Sequence, residues 1–71
     1  MDPQQAWNEL LESIESNDIE TARERARSLL AWLARGGFSP VATGSGALTA
    51  EEHRQFVERY CRIVLRQSQN A

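Results

Sequence analysis

The chain has 71 residues, with ten acidic and eight basic side chains, a net charge of −2 and one cysteine. Its length allows a single small domain, which buries about 60% of the surface its unfolded chain exposes. One cysteine excludes an internal disulfide and a cysteine metal framework, the acidic balance opposes sequence-independent binding to nucleic acid, and no stretch is apolar for long enough to span a bilayer.

The first helix is expected over 3–16. Asp2 is a good N-cap, Pro3 suits the first helical position, and Gln5 completes a capping-box-like spacing. Trp7, Leu10, Leu11 and Ile14 then recur at i, i+3, i+4, i+7 as one apolar stripe, with Glu9, Glu12 and Glu15 on the other face. The opening "MDPQQAWNELLE" lacks a basic region followed by an apolar run, so no secretory signal is expected and the expected setting is the cytoplasm. "SND" ends this helix, with Asn17 suited to the left-handed position after the C-cap.

The second helix is expected over 19–35, capped by Asp18. Ile19, Ala22, Ala26, Leu29, Leu30 and Leu33 form its stripe, and the small Ala22 and Ala26 admit close approach of the first helix. The short connection forces an antiparallel hairpin. Glu20 with Arg23 and Glu24 with Arg27 form i, i+3 pairs on the exposed side. Gly36 and Gly37 stop the helix.

The loop 36–48 invites comparison with phosphate-binding loops and fails it. A helix precedes it, the chain contains no lysine, and "GSGALT" lacks the third glycine of a dinucleotide fingerprint. Phe38 folding back over the end of the bundle, Pro40 stiffening the exit and a flexible crossing from Val41 to Gly46 account for the composition.

The third helix is expected over 50–67, opened by a capping box from Thr49 to Glu52. Phe56, Val57, Tyr60, Ile63 and Val64 make its apolar stripe, His53 falls inside it, and Cys61 and Leu65 widen its edge. A polar tail follows. Three amphipathic helices without a period-2 segment predict an all-α three-helix bundle: an antiparallel hairpin plus a third helix after a Gly-rich loop.

Trp7, Leu10 and Ile14, with Ala22 and Ala26 one residue out of step, resemble the signature positions of a single tetratricopeptide repeat hairpin. Leu11 stands where that family has a small residue, and Pro40 comes later than its closing proline. That resemblance implies a helical protein-interaction role. "AW..LL" followed by "WLARGGFSP" also looks like short bacterial proteins such as those of planctomycetes, a likeness that implies no activity.

No constellation points to catalysis or to a cofactor. His53 has Glu51 and Glu52 beside it, yet those side chains project off its helical face and no second histidine exists. Cys61 lies about 12 Å from His53 along one helix, too far for a nucleophile–base pair. Arg59, Arg62 and Arg66 gather on the third helix and read first as a solvated face complementing the helix dipole; a nucleic-acid contact through them is the lesser reading. Trp32 lies off its stripe; it either packs under Phe38 and Pro40 or meets a partner. The expected function is a non-enzymatic interaction module binding a protein partner or a second copy of itself, with Trp32, Phe38, Cys61 and Leu65 as contacts. The alternative is a small nucleic-acid-binding or regulatory protein using Arg59, Arg62 and Arg66.

Overall fold

The computed structural model describes residues 1–42 and 46–69. The middle of the expected loop crossing and the last two residues of the tail lie outside the described residues. Three helices follow in order: α1 Pro3–Glu15, α2 Ile19–Ala34 and α3 Ala50–Gln69. The expected bounds hold within one residue for α1 and α2, and α3 runs two residues beyond its expected end.

Local chemistry sets the helix ends. Gln4 N–H and Gln5 N–H donate to the Asp2 carboxylate at 3.1 and 3.2 Å, satisfying two of the amides that every helix start leaves without partners. Asp18 takes the Thr21 N–H at 3.2 Å and the Thr21 hydroxyl at 2.7 Å. At α3 the capping box is reciprocal: Thr49 N–H donates to Glu52 at 2.9 Å, and Glu52 N–H to the Thr49 hydroxyl at 3.2 Å.

Both α1 and α2 close with the same paired bonds. Asp18 N–H reaches Ser13 O and Asn17 N–H reaches Ile14 O; Gly37 N–H reaches Trp32 O and Gly36 N–H reaches Leu33 O. This arrangement turns the chain through a left-handed residue, here Asn17 at φ 61° and Gly36 at φ 86°.

α1 packs on α2, and α2 packs on α3. Ala22 and Ala26 are fully buried, and their small side chains let the helix axes come close. Around them lie Ala6, Trp7, Leu10, Leu29, Leu33, Val57, Cys61 and Val64. The turn between α1 and α2 makes that pair antiparallel. Arg54 Nη2 donates to Leu33 O at 3.2 Å, setting the start of α3 beside the end of α2, so α1 and α3 run the same way.

The buried faces are rotated from the expected stripes. In α1 the core takes Pro3, Ala6 and Ser13 along with Trp7 and Leu10, while Ile14 is 37% exposed. Ser13 is tolerated there because its hydroxyl donates to Leu10 O at 2.7 Å. In α2, Ile19 is left 43% exposed. In α3, Cys61 sits at the centre with Val57 and Val64, and Phe56 and Ile63 are pushed to an exposed edge. The expected surface pairs Glu20–Arg23 and Glu24–Arg27 do not form among the described residues. Arg25 instead reaches Glu9 on α1 at 3.4 Å and Glu24 at 2.9 Å.

Candidate functional site

The residues expected to form one contact surface are dispersed. Cys61 is fully buried, and burial with a smaller push from Glu58 raises its thiol to about 12. It therefore offers neither surface nor a nucleophile, a correction to its place among the contact residues. Leu65 is half-buried against the core near the far end of α3. Trp32 and Phe38 lie at the end of α2, which meets the opposite end of α3 at Arg54.

Trp32 is committed to the loop that follows it. Its indole Nε1–H donates to Phe38 O at 2.8 Å, and its ring meets the Phe38 ring edge-on at 5.6 Å. The Arg35 guanidinium lies 5.9 Å from the same ring. A Cβ on Gly37 would fall inside the indole, so glycine is required for the ring to lie flat on the backbone. Phe38 keeps 69% of its surface exposed.

The loop is pinned rather than free as far as Ala42. Gln4 clamps Val41 from both sides: Val41 N–H donates to Gln4 Oε1 at 2.8 Å, and Gln4 Nε2 donates to Val41 O at 3.3 Å. Trp7 Nε1–H reaches Ala42 O at 3.4 Å, and Ala42 N–H donates to His53 Nδ1 at 3.1 Å. His53 thus serves as an anchor for the loop through its Nδ1. Pro40 is buried. Sequence reasoning placed His53 in the apolar stripe of α3 and missed Gln4, whose partner lies 37 residues away.

The informative surface is the side of the bundle where α1 and α3 flank each other without packing. Their backbones stay apart, and aromatic rings bridge them: Trp7 meets Tyr60 edge-on at 5.2 Å and Phe56 at 6.3 Å. Phe56 and Tyr60 stack at 6.3 Å and 21°. Beyond this bridge the flank carries Leu11 and Ile14 on α1, and Ile63 on α3. Phe56 is 44% and Ile63 43% exposed. Seven residues separate those two, so they line up on one edge, opposite Leu65 on the helix cylinder.

Arginines border this apolar edge. Arg59 and Arg66 each follow an exposed apolar residue by three positions, and neither is ion-paired among the described residues. Arg62 lies further round the helix, 4.0 Å from Glu58, which Arg54 also holds at 3.3 Å. On α1 the corresponding rim carries Asn8 and Glu15, with Glu12 one step further out.

No family model, curated protein or solved structure matches the chain. Among the described residues no helix is long and apolar enough to cross a membrane, and no group of His, Cys, Asp or Glu could hold a metal ion.

Proposed function

We propose that the chain is a non-enzymatic helical interaction module that docks through the α1–α3 side. One observation supports this reading: a seven-residue repeat, Phe56 with Arg59 and then Ile63 with Arg66, on an α3 edge that α1 covers only in part, through Trp7. Apolar residues recurring every seven positions, flanked by charge, are what a helix needs to seat against another helix. α1 contributes Leu11 and Ile14, three residues apart and only partly covered, beside the buried Trp7.

A photo-crosslinking amino acid placed at Ile63 in the expressing cell tests this role, with the same group at the exposed Glu24 on α2 as control. Adducts at Ile63 and none at Glu24 are expected. Absence of any adduct at Ile63 overturns the docking role. The alternative, nucleic-acid contact through Arg59, Arg62 and Arg66, has less support, because Glu58 and Glu52 lie on the same helix and Arg62 already faces Glu58. An adduct to nucleic acid would favour it.

A further inference from the structure

We propose that the molecule seated on the α1–α3 side is a second copy of this chain, related by a two-fold axis parallel to the helices. The inference presupposes the docking role above and adds the identity and geometry of the partner.

Charge complementarity carries it. α1 holds the acids Glu9, Glu12 and Glu15 and no base; Glu9 is paired with Arg25 of α2, which leaves Glu12 and Glu15 for this side, and the apolar edge of α3 is bordered by Arg59 and Arg66, with Glu52 on the same line bound in the capping box at the helix start. The two helices run in the same direction, and the Trp7 ring meets both Phe56 and Tyr60, which stack on each other. Stepping both helices forward at 1.5 Å per residue from that fixed point brings Asn8 level with Arg59, and Glu15 level with Arg66. Glu15 and Arg66 therefore stand at one level of the bundle, with Glu12 between the levels of Arg59 and Arg66. No ion pair joins them within one copy among the described residues.

Two in-plane two-fold axes lay the helices of one copy along those of the other. An axis perpendicular to the helices sets α1 on α1 and α3 on α3, opposing like charges on both seams. An axis parallel to them sets α1 of each copy against α3 of the other. Glu15, with Glu12 behind it, then reaches Arg66 and Arg59 of the partner copy twice over. Leu11, Ile14, Phe56, Tyr60 and Ile63 close into a shared apolar centre. The contact is isologous, as two-fold dimers require, and it closes on itself rather than propagating. It also enlarges the core of a chain whose length leaves little to bury.

The test is a charge swap read by sedimentation velocity on the whole chain, from low to high micromolar. The wild type is expected to pass from one-copy to two-copy mass. Arg59→Glu with Arg66→Glu, and separately Glu12→Arg with Glu15→Arg, should each weaken self-association at least tenfold while retaining the wild-type helical circular dichroism. An equimolar mixture of the two variants should recover the two-copy mass, since both seams again pair opposite charges. A wild type that stays at one-copy mass, reversed variants that still dimerise, or a mixture no better than its components each overturns the inference. Crosslinking at Ile63 separates the two levels. An adduct confined to another protein refutes the second copy and leaves the docking role standing, whereas no adduct removes both.

Discussion

The Trp7 ring stands edge-on to the Tyr60 ring, 5.2 Å between centroids and 75° between planes. α1 and α3 have no backbone packing, so this pair, with Phe56 on the same indole, joins the first helix to the third. Trp7 is 1% exposed and its Nε1–H also reaches Ala42 O, so one side chain gathers α1, α3 and the loop between α2 and α3. Edge-to-face rings place a positive edge on a negative face, which adds to the gain from burial.

Trp7→Ala is accordingly expected to remove most of the folded population. Deleting a buried aromatic costs about 3–5 kcal/mol, a large share of what a domain of this size has. Trp7→Phe keeps part of the ring contact and loses the bond to Ala42, so it should fall between. Urea unfolding followed by far-ultraviolet circular dichroism ranks the three. A Trp7→Ala midpoint equal to the wild type would show that the bridge contributes nothing.

The glycines after α2 should respond differently to alanine. Gly37→Ala drives a Cβ into the Trp32 indole and must displace the ring or the backbone, at a cost of about 1–3 kcal/mol. Gly36→Ala meets no atom but must hold φ 86°, a cost of about 1 kcal/mol. Gly46→Ala meets nothing and carries no such backbone constraint, so a change within about 0.5 kcal/mol is expected. Thermal melts of the three variants give the order. Tryptophan fluorescence identifies the first as a displacement of Trp32, and an unshifted spectrum in Gly37→Ala would contradict it.

The helix ends were legible in the sequence because their partners are close. Asp2, Asp18, Thr49 with Glu52, Asn17 and Gly36 all act on groups within five residues of themselves. The faces were less so. Periodicity marks which side of a helix is apolar, and it does not say how much of that side a neighbour covers. Ile14, Phe56 and Ile63 read as core and lie at exposed edges, because α1 and α3 do not close on each other, and Ile19 is exposed at the first position of α2. Ser13 reads as surface and is buried, its hydroxyl satisfied by the carbonyl of the preceding turn. Cys61 reads as an edge residue and lies at the centre because α2 meets α3 on that line. Trp32 showed an apolar ring off its stripe, and the close approach of Gly37 explains where that ring goes.

The caps give the protein a predictable acid response. Hydrogen bonds from the Thr49 backbone and side chain hold Glu52 below its ordinary 4.5, and the Thr21 hydroxyl and backbone hold Asp18 below 3.8. Each carboxylate binds its proton more weakly in the folded chain than in the unfolded one. The stability it supplies is thus complete above the unfolded value and lost as the pH falls through the lower folded value. Glu52→Gln mimics the protonated side chain. It should melt below the wild type at neutral pH, and the gap should close as the pH falls from 4.5. Melting curves across that range decide it, and a gap that persists into strong acid would place the contribution of Glu52 elsewhere.

Cys61 should report on unfolding rather than on surface chemistry. Its side chain is fully buried, and burial holds the thiol at about 12, so the thiolate that attacks disulfide and alkylating reagents is scarce at neutral pH. Labelling of the native chain with a thiol reagent should therefore be slow. Its rate should rise in step with the unfolded fraction as urea is added, since exposure and thiolate formation both require opening of the core. Cys61→Ala leaves a small void and should cost about 1 kcal/mol, whereas Cys61→Ser buries a hydroxyl and should cost more. Rapid stoichiometric labelling in the absence of denaturant would place Cys61 on the surface and contradict the packing of α2 against α3.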